Sequence, residues 1–163
     1  MAFRSARKPD AAPTIADAHA AIACLTRLTE LTQQRRVQLA TAVGLTDQQW
    51  GVLEEIATEH FMPSLFARRR DSSAAAVSKI LRQLSDKGLV VAEIAAGDGR
   101  QRHYSLSAEG RRVMDRLRAS REAAIRDIWL ALDAARLRAF TQVGQSIIEG
   151  LERYAATVIS KQE

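Results

Sequence analysis

The sequence predicts a mainly α-helical chain with one small β-hairpin. Three features carry this expectation. Apolar residues recur three and four apart through most of the 163 residues, the period of helices with one buried face. Capping residues and glycines cut that pattern into separate helices. One stretch, residues 89–106, departs from the period and reads as two short strands around a glycine-punctuated turn.

Residues 1–13 mix Arg4, Arg7 and Lys8 with Pro9 and Pro13, a composition expected of a flexible basic arm. From Thr14 to about Thr41, Ile15, Ala18, Ile22 and Leu25 share a helical face, with Leu28 and Leu31 nearby, and Gly44 closes the segment. Thr46 followed by Gln49 is a capping-box pair for a second helix that should bury Trp50, Leu53 and Ala57. His60-Phe61-Met62 reads as a short extended link. Pro63 suits the first turn of a third helix, where its missing N–H costs nothing. Asp71-Ser72-Ser73 stops that helix and offers side-chain oxygens to cap a fourth. The fourth helix carries Val77, Ile80, Leu81 and Leu84 on one face and ends at Gly88, behind Lys87.

Residues 89–94 and 103–106 then read as the strands of the hairpin, with Tyr104 and Leu106 on one face. Ser107 is a natural cap for a helix expected to run to about Leu130, with Glu109 in its first turn and Met114, Leu117, Ile125 and Ile128 inward. A last helix from Asp133 places Leu137, Phe140, Gly144, Ile147, Leu151, Tyr154 and Val158 alternately three and four apart, a heptad-like seam. Such a seam has little core to meet within so small a head. It is expected to pair, together with residues 14–41, against a second copy of the chain.

Two helices at a tight turn followed by a basic hairpin make a winged helix-turn-helix, a shape that sets one helix into the major groove of DNA. The predicted fold is therefore mainly α with a small β-wing: a winged helix-turn-helix head, residues 46–106, flanked by dimerisation helices in residues 14–45 and 107–163. Ser72 and Ser73 stand at the start of the fourth helix. Ser73 can donate to or accept from a base edge, Ala75 and Ala76 can pack on thymine methyls, and Lys79 can reach a guanine or a phosphate. Ser78 and Arg82, one turn apart, are placed to hold phosphate, and Arg68, Arg69 and Arg70 add charge beside the turn. In the wing, Arg100 suits a narrow minor groove, Asp98 can orient it, and Arg102 can neutralise a phosphate.

Composition agrees with an anionic partner. Lysine and arginine number 24 against 19 aspartates and glutamates, a formal charge of +5. No stretch approaches the roughly 18 apolar residues of a membrane span, and the first twelve residues lack the apolar core of a secretory signal. One cysteine excludes an intrachain disulfide and fits a reducing compartment, so a cytoplasmic location is expected. His19, His60 and His103 are scattered without metal-ligand spacing, and no Gly-rich phosphate loop follows a strand. Neither an enzyme, nor a metal site, nor a cofactor is expected. A winged-helix module serving only protein–protein contact is the competing reading, and the positive wing and reading helix argue against it.

The runs VSKILRQLSDKGLV and DGRQRHYSLSAEG, with LTDQQWGVLEEI upstream, resemble the multiple-antibiotic-resistance regulator (MarR) family of transcription factors. The most specific part is the wing's Asp-x-Arg-x-Arg followed by Ser-Leu-Ser-x-x-Gly. The resemblance implies a homodimeric regulator, expected to act as a repressor on an inverted-repeat operator, and a small third strand near His60-Phe61-Met62. It also implies release of double-stranded DNA by a small anionic or aromatic effector. By position, that effector would lie among His19, Ile22, Arg27, Trp50, Leu53, Val113 and Leu117. Cysteine-based redox sensing, known in the family, would fall to Cys24, but its neighbours Ile22, Ala23 and Leu25 are the apolar kind that keep a thiol inert. The chain departs from the family pattern at Arg70 and Ser72, where apolar residues are usual, and at Ala92-Glu93, where a basic residue is usual.

Overall fold

The computed structural model describes residues 12–58, 61–94 and 102–159. Among the described residues, six α-helices and a two-stranded antiparallel sheet run in the order α1 (Ile15–Ala42), α2 (Asp47–Ile56), α3 (Pro63–Arg69), α4 (Ala74–Asp86), β1 (Val90–Ile94), β2 (Arg102–Leu106), α5 (Ala108–Ala124) and α6 (Ala134–Ile159). Between α5 and α6 the chain takes one wider π-helical turn, Ile125–Trp129.

The helix boundaries follow from their caps. Thr14 and Asp17 form a capping box on α1, and Thr46 and Gln49 form the expected one on α2. Ser73 and Ser107 accept from Ala76 N–H at 3.1 Å and Gly110 N–H at 2.9 Å at the starts of α4 and α5. At the far ends, α1 and α4 close through Gly44 and Gly88, both with positive φ. The amide one residue further on reaches back to a helix carbonyl, Leu45 N–H to Ala40 O and Leu89 N–H to Leu84 O, each at 2.9 Å. The α3–α4 turn uses the same closure, Ser72 N–H to Ala67 O at 2.9 Å, with Asp71 at φ 46° in the left-handed position. Aspartate tolerates that conformation better than most side chains. The departures from the family pattern at Arg70 and Ser72 therefore leave a well-formed turn.

One core holds the head together. Leu39 and Ala40 of α1, Trp50, Val52, Leu53 and Ile56 of α2, Phe66 of α3, Val77, Leu81 and Leu84 of α4, Val90, and Val113 and Leu117 of α5 are all buried. Ile80, Tyr104, Leu106 and Met114 pack half-buried against it. Lys87 Nζ donates to Gly44 O at 2.7 Å, tying the end of α4 to the turn after α1. The wing pairs Val90 with Leu106 through Ile94 with Arg102. At its base Ser107 N–H donates to Leu89 O at 3.0 Å and Ser107 Oγ donates to Gly88 O at 2.6 Å.

Three expectations are corrected. Ile125 and Ile128, expected inward, are exposed, because the π turn falls on them and rotates the later residues off the core face. The helix expected to about Leu130 does run that far, but its last turn, Ile125–Trp129, is π rather than α. Ala57 lies beyond the end of α2 and is exposed, with Ile56 taking the buried position. Among the described residues the sheet has two strands, and Phe61 and Met62 belong to neither, while His60 lies outside the described residues.

The two long terminal helices stand apart from this core. Over most of its length α1 exposes Ile15, Ile22, Leu25 and Leu31, and only Leu39 and Ala40 near its end are buried. No described side chain of α6 is buried, and Phe140, Ile147, Leu151, Tyr154 and Val158 of the predicted seam are exposed.

Candidate nucleic-acid interface

Helix α4 turns its apolar residues to the core and leaves Ala75, Ser78, Lys79 and Arg82 exposed on the opposite side. Ser73 is committed to the helix cap, Ala76 is half-buried on the flank, and Ser72 is half-buried in the turn. Between this helix and the wing lies a cleft of about 310 Å³, lined by Ser78, Leu81, Arg82, Ser85, Ala92, Arg102 and Tyr104. Three of the residues expected to hold phosphate, Ser78, Arg82 and Arg102, thus meet in one concave surface although they come from two elements. Ala92, where a basic side chain is usual in the family pattern, is part of this lining.

Among the described residues neither Lys79, Arg82 nor Arg102 has a carboxylate partner, whereas most arginines of α5 do. Unneutralised cations facing a cleft are the electrostatic requirement for a polyanion. Ser85 and Tyr104 complete the lining, and reasoning from the sequence did not name them for this role. Their signal is faint, since Ser85 follows Ser78 on α4 at helical spacing and Tyr104 only shares a strand face with Leu106. Asp98 and Arg100 at the wing tip lie outside the described residues.

The residues expected around an effector divide into two groups. Trp50, Leu53, Val113 and Leu117 are core side chains, each buried, while His19, Ile22 and Arg27 lie on the exposed surface of α1. Arg27 pairs with Glu30 at 3.0 Å. Trp50 Nε1 is buried without a hydrogen-bond partner among the described residues. Over its ring, 4.1 Å from the centroid, sits the Arg36 guanidinium. Arg36 is also bonded to Asp47 and, at 2.9 Å, to Glu54, and Glu54 accepts from Arg121 of α5 at 3.4 Å. Burial opposes the charge on Arg36, but Glu54 and Asp47 outweigh it and raise its pKa, so the cation that joins α1 to α2 is permanent.

A second cavity, of about 200 Å³, opens between α2, α3 and α4 and is lined by Asp47, Gln48, Gly51, Phe66, Arg70, Ser72 and Ile80. The Arg70 guanidinium stands 5.7 Å from the Phe66 ring centroid and has no carboxylate partner among the described residues. Cys24 is exposed on α1. Among the described residues no cluster of three His, Cys, Asp or Glu is placed to hold a metal ion, and no helix is long and apolar enough to cross a membrane.

A small two-stranded wing behind a helix-turn-helix, with a cleft between them whose arginines have no carboxylate partner among the described residues, is the winged-helix arrangement. Residues 43–101 match the sequence model of the MarR family. No curated protein sequence matches the chain. Among solved structures, the MarR family transcription regulator SP03579 superposes with a TM-score of 0.75 at 17% identity, covering 84% of this chain and 91% of that one. Staphylococcus aureus MarR in complex with salicylate and kanamycin gives 0.70 at 15% identity, covering 83% and 93%. The S. aureus MepR–DNA complex gives 0.61 at 14% identity, covering 85% and 96%. Residues 43–101 are thus similar to the MarR family, and the chain as a whole has the fold of the MarR-family structures.

Proposed function

We propose that this chain is a homodimeric transcription regulator that binds double-stranded DNA, acts as a repressor at an inverted-repeat operator and is released by a small anionic or aromatic ligand. The observation that carries the reading is the cleft in which Ser78, Arg82 and Arg102 converge between reading helix and wing. A phosphate backbone passing through it would be held from both sides, with Lys79 and Ala75 left on the exposed face for base edges. In this reading residues 46–106 are the DNA-binding region, residues 14–45 and 107–163 build the dimer, residues 1–13 form a basic arm, and the protein works in the cytoplasm.

Dimerisation is supported by the many large apolar residues left exposed on α1 and α6, since extended exposed apolar surface marks interaction sites. Two winged heads on a twofold axis favour half-sites about 34 Å apart, one turn of the duplex. An effector role is supported by Arg70, which has no carboxylate partner among the described residues and stands beside the Phe66 ring in the lining of a cavity that touches the reading-helix turn. A carboxylate with an aromatic ring matches that pairing, and a ligand seated there would shift Ser72 and the start of α4.

Selection of bound sequences from random duplex DNA tests the central reading. The expected outcome is an enriched inverted repeat with half-sites one turn apart, and no enrichment at low salt would sink it. Arg102→Ala should weaken binding to all duplexes alike and reduce the slope of log affinity against log salt by about 1, the mark of one lost phosphate contact. A protein-only winged helix would show no steep salt dependence at all.

A further inference from the structure

We propose that Gln49 is a positioning residue for DNA reading: its side-chain amide, fixed at one end by the cap of α2, holds Gln83 and so sets the rotation of α4 about its own axis. The proposal rests on the DNA-binding reading above. Gln49 is 5% exposed, the one polar side chain in the buried class among the described residues. Its Oε1 accepts Thr46 N–H at 3.1 Å, while its own N–H donates to Thr46 Oγ1 at 3.1 Å. A backbone N–H can only donate, so the cap settles which way round the amide lies. Nε2 is thereby turned toward α4, where Gln83 Oε1 accepts it at 3.1 Å.

A glutamate closes a capping box as well as a glutamine does, but it offers only acceptors. The amide converts a local cap into a bond between α2 and the reading helix. Gln83 sits on the flank of α4, in line with half-buried Ala76 and Ile80, between the core face of Val77, Leu81 and Leu84 and the outer face of Ala75, Lys79 and Arg82. Close packing on the core face already limits the movement of α4, and a hydrogen bond from a buried amide, directional and costly to leave unmade, adds a fixed point on its flank. A turn of α4 that broke it would also swing Lys79 and Arg82 away from their places on the outer face.

The test is a pair of glutamates. Gln49→Glu keeps the cap, and Gln83 can turn its amide over to donate. Gln83→Glu still accepts from Gln49. The double variant sets two carboxylates against each other and has no bond left. The readout is the ratio of affinities for a selected duplex and a scrambled duplex of equal length in the same buffer, in which the effect of added charge cancels. Both single variants are expected to keep the wild-type ratio, and the double to lower it about tenfold, roughly the discrimination carried by one base pair. A double variant that is less stable in urea yet keeps the ratio overturns the proposal, because a purely structural bond would do that. Should the double variant not fold, Gln83→Leu removes the acceptor instead, with the same loss expected and the same unchanged ratio overturning it. Wild-type protein that binds neither duplex is a separate failure, which removes the DNA-binding reading and this proposal with it.

Discussion

Alanine at Gly110 is expected to cost the head about 3 kcal/mol or more, placing it among the severe single substitutions. Gly110 is buried in the first turn of α5, where its N–H bonds to the cap Ser107. A Cβ built there lands on the Leu89 carbonyl oxygen and 3.1 Å from its carbon. That oxygen is not free to move, since it accepts Ser107 N–H at 3.0 Å, and Leu89 N–H closes the end of α4. Added volume would have to part α5 from the junction of reading helix and wing, and backbone cannot yield as a flexible side chain would. Urea denaturation followed by circular dichroism measures the loss. A midpoint within error of the wild type would show that this close approach does not hold the head.

The second large effect concerns the terminal helices. Ile147→Asp with Leu151→Asp places two carboxylates in the exposed seam of α6 without touching the core of the head. In the proposed dimer they would be buried without partners, which is prohibitive for charged groups. Sedimentation is expected to give the mass of one chain in place of two. Affinity for an inverted-repeat duplex should fall about 10²–10⁴-fold, the range by which linked sites exceed a single one, while affinity for one half-site stays near the wild-type value. A double variant that still sediments as a dimer would place the subunit contact elsewhere.

Much of the head was legible because its signals are local. Thr46 with Gln49, Ser73 and Ser107 each name a helix start, Gly44 and Gly88 each name an end, and the spacing of Val77, Leu81 and Leu84 names the buried face of the reading helix. The cleft was half legible. Ser78, Arg82 and Arg102 were singled out by charge and position, but their meeting depends on the angle between α4 and the hairpin, which no local pattern encodes. Periodicity also misled where the helix changed its own period: a five-residue π turn at Ile125–Trp129 shifts the phase, and Ile125 and Ile128 leave the face that a regular helix would give them. In α1, Ile15, Ile22 and Leu25 do form a stripe, but spacing tells only that a face is apolar and not what covers it. Gln49 shows a different limit, since the capping box already accounted for the residue and hid its bond to Gln83.

The bond from Lys87 to the Gly44 carbonyl has a bearing on how the molecule comes apart. Residues far apart in the chain, at the close of the first long helix and of the reading helix, share it, so fraying of either end costs the other one side-chain bond. Local opening should therefore take both ends together as one cooperative unit.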